Sequence, residues 1–417
     1  MDLQLTAPQR LSASLRLPAS KSVGNRALLI AALSGQEPHV MGLSRCDDTD
    51  AMLQALKRDD GDINVGPAGT AMRFLTAYFA SRPGCSVTLD GDERMRQRPI
   101  GGLVDALRVM GADIRYLGRE GYPPLAITGR ALHGGDLDMD GSVSSQFVSA
   151  VMMILPTVGG GTIRLRGDIV SAPYLHTTAA VMRAMGAAVD IAGPLITVGG
   201  GGYCSNDGYI GDYIVETDWS AAAPWYALAA LLPGSQLTLE GLTPDSIQGD
   251  ARLSSLARSL GIATRFDAVG ATLDTSRLID CCCSSFADMN DTPDLAMSWA
   301  VLLCLLERSF RMTGLRTLRL KESDRMQALA DGLRQLGYVL KVEGPDAVSW
   351  YGERVVVTTE PPVIDPCGDH RLAMAFAPAA VRYPGLIIRD AQVVDKSYPS
   401  FWRHLERAGF TVTQLAR

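Results

Sequence analysis

The chain has 417 residues, enough for two domains of about 200 residues each. Its 47% hydrophobic and 20% charged content is ordinary for a globular protein, and a net charge of −6 disfavours a broad nucleic-acid surface. No run of 18 apolar residues suggests a membrane span, and Met1-Asp-Leu-Gln-Leu-Thr6 lacks the basic and apolar regions of a signal peptide, so a cytoplasmic protein is expected. The eight cysteines, three of them adjacent at Cys281–Cys283, include no Cys-x-x-Cys pair and read as reduced thiols. The five histidines have no metal-ligand spacing, so no metal is expected.

In chain order, the first informative stretch is Pro18–Ala27. It places Lys21, Ser22 and Arg26 ahead of the apolar run Ala27–Leu33, with Ser22 or Asn25 available to cap a helix. A cation, a hydroxyl and free backbone N–H groups at a helix start suit an anion. The glycines of a Walker P-loop are missing, which argues against a nucleotide-dependent kinase. Gly66–Arg73 is a glycine-rich turn into a second helix, where Gly69 lets an anion approach the backbone. Arg94–Ile100 carries three arginines, and Arg98 is held extended by Pro99. Gly141–Phe147 offers Ser144, Ser145 and Gln146 at another helix start. Lys321-Glu-Ser-Asp-Arg325, Asp369-His-Arg371 and Asp395-Lys396 repeat the pairing of cation and carboxylate. Only five of the 39 basic residues are lysines, and three of them, Lys21, Lys321 and Lys396, lie inside these motifs.

A repeat links the motifs. Amphipathic helices ending at Gly111, Gly186, Gly261, Gly337 and Gly409 are each followed by an alternating strand, at intervals of 72–76 residues. That period fits a βαβαββ block. A degraded sixth unit, Asp50–Gly61, lies only 50 residues before Gly111. Second helices fit at 27–33, 69–80, 144–155, 219–231, 293–307 and 369–381, giving an α/β fold of two halves with three units each. If the units are pseudo-symmetric, the N-termini of these helices converge on one inter-domain cleft.

The ordered set of motifs resembles the 5-enolpyruvylshikimate-3-phosphate synthase family. It comprises K-S-x-x-N-R at 21–26, A-G-T-A-M-R at 68–73, R-P-I at 98–100, S-S-Q-F at 144–147 and S-x-P-Y at 171–174. It continues with P-D-x-A-M at 293–297, K-E-S-D-R at 321–325, D-H-R-x-A-M at 369–374 and D-K-S at 395–397. The resemblance implies a two-domain inside-out α/β barrel of six βαβαββ repeats, three per domain. The expected boundaries are 18–218 for one domain and 1–17 with 219–417 for the other. It also implies transfer of the enolpyruvyl group of phosphoenolpyruvate to the 5-hydroxyl of shikimate 3-phosphate, with no cofactor, by an enzyme expected to be a monomer. By the same resemblance Lys21, Ser22, Arg26, Ser144, Ser145, Gln146, Ser171, Asp294 and Lys321 hold shikimate 3-phosphate. Lys21, Gly69, Arg98, Gln146, Arg325, Arg371 and Lys396 hold phosphoenolpyruvate. Lys21, Asp294 and Glu322 are the implied catalytic residues, with Glu322 as acid and Asp294 as base. Gly69 further implies that glyphosate competes with phosphoenolpyruvate.

Three departures accompany the resemblance. The first repeat is short by about one strand pair, expected between Gly61 and Pro67. Pro67 and Thr317 stand where the family has asparagine. The rival enolpyruvyl transferase acting on UDP-N-acetylglucosamine has a reactive-cysteine loop that none of Cys46, Cys85, Cys204, Cys281–Cys283, Cys304 or Cys367 matches. A non-catalytic anion-binding relative is the other alternative, opposed by the presence of Asp294, Glu322 and the full set of cations.

Overall fold

The computed structural model describes residues 1–36, 39–204, 211–278, 285–357 and 359–416, which leaves the Cys281–Cys283 run outside the described residues. The chain divides into two compact units, Ala19–Glu216 and Met1–Pro18 with Thr217–Arg417. The first unit carries helices α1 (Lys21–Leu33), α2 (Asp47–Ala55), α3 (Gly69–Ala80), α4 (Gly101–Val109), α5 (Ser145–Ile154) and α6 (Ala172–Ala184). The second carries α7 (Ala223–Leu231), α8 (Leu253–Arg258), α9 (Ala296–Leu305), α10 (Arg325–Gln335), α11 (His370–Phe376) and α12 (Phe401–Arg407). The helices expected from the repeat are therefore present. Gly111, Gly186, Gly261, Gly337 and Gly409 all have φ between 85° and 102°, the left-handed geometry that ends a helix without the strain a Cβ would bring.

Five four-stranded sheets share one plan. In spatial order, the first unit contains Asp60–Asn64, Ser86–Asp90, Leu125–Thr128, Asp113–Tyr116, and then Gly135–Asp140, Gly161–Arg166, Leu195–Val198, Val189–Ala192. The second unit contains Ser12–Arg16, Gln236–Glu240, Gly270–Asp274, Ala263–Phe266, and then Ser285–Asp288, Phe310–Thr313, Ala347–Trp350, Lys341–Glu343. Its third sheet is Val363–Ile364, Leu386–Ile388, Asp2–Thr6, Thr411–Leu415. In each, the first pair is parallel and the next two pairings are antiparallel. Parallel neighbours need a crossover, and helices α3, α5, α9 and α11 supply it in four of these sheets. The chain start contributes two strands to the second unit. Asp2–Thr6 completes the last sheet, and Ser12–Arg16 lies parallel to Gln236–Glu240.

The sixth sheet is the trimmed one. Val40–Met41 pairs in parallel with Tyr213–Ile214, and the antiparallel pair found in every other sheet is missing among the described residues. The trim lies between Ala55 and Asp60, and not between Gly61 and Pro67 as the sequence suggested. Gly61 closes no helix. It sits inside strand Asp60–Asn64, opposite Val87, and that strand already belongs to the next repeat.

In each unit three helices form the inner layer. Helices α1, α3 and α5 touch one another, as do α7, α9 and α11. A helix that is apolar all round must be buried all round. In α3 eleven of twelve residues are buried, and every residue of α7 is. The sheets cover these helices with one face. Val87 and Leu89, Leu137 and Met139, and Leu237 and Leu239 point inward with exposed or half-buried residues between them.

Candidate active site

In the second unit the charged motifs meet at the starts of the inner helices. Asp294 lies in the turn Pro293–Leu295 that opens α9, Ser220 in the turn that opens α7, and Asp369 caps α11 by accepting from the Arg371 backbone N–H at 2.9 Å. Arg325, the first residue of α10, is 2% exposed and faces three carboxylates. Its Nε donates to Asp369 Oδ2 at 2.6 Å, its Nη1 to Asp294 Oδ1 at 2.8 Å and its Nη2 to Glu322 Oε2 at 2.9 Å. Burial disfavours the Arg325 cation, but the three carboxylates outweigh it and raise its pKa above the ordinary arginine value.

Two of these carboxylates also meet further cations. Glu322 Oε1 accepts from Lys396 Nζ at 2.8 Å. Asp294 lies 3.1 Å from Arg371 Nη2 and 4.0 Å from Lys321 Nζ. Burial alone would push the Asp294 carboxyl up. Arg371, Lys321 and Arg325 together overcome it and hold the group well below the usual carboxylate range. Asp294, Lys321, Glu322, Arg325, Arg371 and Lys396, six residues implied by the resemblance, therefore form one network. Its four cations outnumber its two carboxylates, so the network keeps an excess of positive charge.

The first unit holds a second set. Lys21 opens α1, where the helix dipole repels a cation, and its Nζ lies 2.9 Å from the buried Asp48 Oδ2 at the start of α2. Ser144 caps α5 by accepting from the Gln146 N–H, Ser145 is the first residue of that helix, and Gln146 Nε2 reaches Thr70 Oγ1 at 3.1 Å. The starts of α3 and α5 are thus adjacent. Gly69 faces Arg98, since a Cβ there would stand 2.6 Å from Arg98 Nη1. An alanine would push that guanidinium aside. Ser171 precedes α6 in a left-handed conformation, φ 55°, and is buried.

Arg26, like Arg325, is only 2% exposed. It donates to Thr178 Oγ1 (2.7 Å), to the Ser22 carbonyl (2.8 Å), and at 3.4 Å to Ser149 Oγ and the Tyr174 carbonyl. Burial lowers its pKa to about 10, so it stays charged near neutrality. These bonds tie α1 to α5 and α6 beneath Lys21 and Ser22. Thr317, four residues before Lys321, is buried, and its hydroxyl has no hydrogen-bond partner among the described residues. Groups of three or more metal-ligand side chains are absent among the described residues, as is any helix long and apolar enough to cross a membrane.

Sequence reasoning missed Asp48, Asp250 and Ser220. The acidic run Asp47, Asp48, Asp50 looks like ordinary helix-start charge, and Gln248-Gly-Asp250 has no motif signal. Yet Asp250 is buried beside the network and hydrogen-bonded to Ser220.

The EPSP synthase (3-phosphoshikimate 1-carboxyvinyltransferase) family model matches residues 5–58 and 59–405. The chain belongs to this family. It is 45% identical to the 3-phosphoshikimate 1-carboxyvinyltransferase of Bacteroides fragilis (strain YCH46), with 98% of each chain covered. It is 34% identical to the enzyme of the same name from Idiomarina loihiensis, covering 97% of this chain and 98% of the relative. The solved EPSP synthase of Acinetobacter baumannii has the same fold, with a TM-score of 0.75 at 23% identity, covering 99% of this chain and 100% of that one. The chain is therefore a carboxyvinyl transferase of the shikimate pathway, and the UDP-N-acetylglucosamine alternative is not favoured.

Proposed function

We propose that the two sets of residues serve one reaction, in which the 5-hydroxyl of shikimate 3-phosphate displaces phosphate from C2 of phosphoenolpyruvate by addition and elimination. The observation that carries this reading is the ion-pair network of Asp294, Lys321, Glu322, Arg325, Arg371 and Lys396, in which four cations surround two carboxylates. Its cations match the phosphates and carboxylates of both substrates, and its carboxylates match the two proton transfers.

Addition requires a proton at the methylene carbon and removal of one from the attacking hydroxyl. Elimination then returns a proton from the new methyl group and releases phosphate. Glu322, beside Lys396, is the acid at the methylene carbon, and Asp294 is the base at the hydroxyl. Held by three cations, Asp294 is a weak base in the free enzyme. Substrate oxyanions draw Arg371 and Lys321 away from it, and its basicity rises when it is needed. Arg325, bound also to the fully buried Asp369, stays in place as the fixed cation. In the first unit, Lys21 transfers from Asp48 to substrate phosphate in the same way. Ser144, Ser145, Gln146 and Ser171 bind shikimate 3-phosphate from helix starts, while Gly69 and Arg98 receive phosphoenolpyruvate.

Steady-state kinetics of Ser171→Ala and Lys396→Ala test the assignment. Ser171→Ala is expected to raise KM for shikimate 3-phosphate by about tenfold and leave that for phosphoenolpyruvate near wild type, and Lys396→Ala to do the reverse. Equal effects on both substrates from both variants would contradict the division of roles.

A further inference from the structure

Asp250 belongs to none of the recurring motifs, yet it is 3% exposed and lies at the edge of the charged network. It follows Gln248, whose Oε1 accepts from the Trp219 N–H at 3.2 Å and whose Nε2 donates to the Thr217 carbonyl at 2.7 Å. The segment Gln248–Asp250 therefore fastens the chain just before α7. Ser220 is fixed there from two sides. Its backbone N–H donates to Asp218 Oδ1 at 3.0 Å, and its hydroxyl donates to Asp250 Oδ2. The lone pairs of that hydroxyl then face Arg371, whose Nη2 donates to it at 3.3 Å while lying 3.1 Å from Asp294 Oδ2. A serine hydroxyl has one proton to give. Its commitment to Asp250 makes Ser220 an acceptor toward Arg371.

We infer that Asp250 is a positioning residue for Arg371, acting through Ser220, and that it sets the affinity for the anionic substrate Arg371 receives. The inference rests on the assignment of Arg371 to phosphoenolpyruvate. As Arg371 leaves Asp294 for substrate, the Ser220 hydroxyl and the Asp250 charge keep the guanidinium from swinging freely. The charged groups facing Asp250 are Arg371, Asp294 and Asp218. Burial raises its pKa to about 6, against the opposing pull of Arg371 and Ser220. Protonation below that pH removes the charge and frees the Ser220 proton, which loosens Arg371. The sign for stability is opposite to that of Asp294. A carboxyl whose folded pKa is raised favours the fold while protonated, and that contribution is lost as pH rises from the ordinary carboxylate range through about 6. At pH 7.5 the ionised Asp250 opposes folding, as expected of a group that serves activity.

The test compares Asp250→Asn, Ser220→Ala and Arg371→Ala with the wild-type enzyme. Asp250→Asn and Ser220→Ala are each expected to raise KM for phosphoenolpyruvate roughly tenfold and to leave KM for shikimate 3-phosphate unchanged. In the wild type KM for phosphoenolpyruvate is expected to rise as pH falls through about 6, and the part of that rise due to Asp250 should be absent in Asp250→Asn. The Tm of that variant at pH 7.5 should equal or exceed that of wild type. If Arg371→Ala raises this KM while Asp250→Asn and Ser220→Ala do not, the inference is overturned and the assignment of Arg371 stands. If Arg371→Ala leaves it unchanged, both fall. A lower Tm in Asp250→Asn with equal losses for both substrates would mark a purely structural residue and also overturn the inference.

Discussion

Glu322→Gln is expected to lower kcat by about a hundredfold to ten-thousandfold, the range typical of a lost general acid. The fold should survive, because glutamine keeps the shape and its amide oxygen can still accept from one of the two neighbours. In the present network Glu322 Oε2 accepts from Arg325 and Oε1 from Lys396. The amide retains one good acceptor and no transferable acidic proton. Binding of shikimate 3-phosphate should change little, since Glu322 is assigned to the methylene carbon of the other substrate. A variant with near wild-type kcat would remove Glu322 from the chemistry and leave Lys396 as the nearest proton donor.

Arg325→Met is expected to be the most destabilising single change in the second unit. Arginine in a buried network is not simply a favourable contact, because its own desolvation offsets much of the attraction. Removing it is a different matter. Asp369 is fully buried, and Asp294 and Glu322 are nearly so, and all three would lose a partner within 3 Å. Breaking such a pair costs about 3–5 kcal/mol, a fall in Tm of about 10 °C for a unit of this size. The pH dependence should weaken as well. In the wild type, Asp294 is depressed, so its contribution is present above the ordinary carboxylate range and is lost as pH falls below it. In the variant Asp294 keeps Arg371 and Lys321 but loses Arg325, so its pKa moves back up toward the ordinary range and this pH-dependent contribution shrinks. Thermal denaturation of both proteins across that range separates the cases. Parallel curves would show that Arg325 does not help to hold Asp294 in its charged form.

The six inner helices were legible because two independent signals coincide in each. Their apolar residues run on all faces, as in α7 and α9, and their starts carry small or charged residues that do not suit a helix interior, as at Gly69, Ser144 and Asp369. The outer helices were legible from the glycines that end them. What escaped was long-range pairing. Nothing local tells Asp2–Thr6 to sit between Leu386–Ile388 and Thr411–Leu415, since any alternating strand would fit by pattern. The two-residue strand Tyr213–Ile214 is too short to carry a period at all. The trim was misplaced for a similar reason, because Gly61 mimics a helix-ending glycine while lying in a strand.

At the site, cations were easier to find than the acids that hold them. Lys21, Arg325, Arg371 and Lys396 stand out because they lie inside recurring motifs and because lysine is rare in this chain. Asp48 and Asp250 look like the many other surface acids of a chain with 45 of them. Only packing, which buries these two, distinguishes them. Arg26 shows the converse. Its motif marks it as a binder, whereas most of its donors are spent on Thr178, Ser149 and two carbonyls of its own unit. Its contribution is expected to come chiefly through holding the start of α1 in place.

The most direct measurement is release of inorganic phosphate by the purified wild-type enzyme supplied with each substrate alone and with both. Release is expected only when phosphoenolpyruvate and shikimate 3-phosphate are present together, in a one-to-one ratio with the carboxyvinyl ether product. No release from folded protein that binds both substrates, or release from phosphoenolpyruvate alone at the same rate, would contradict enolpyruvyl transfer as the reaction these residues perform.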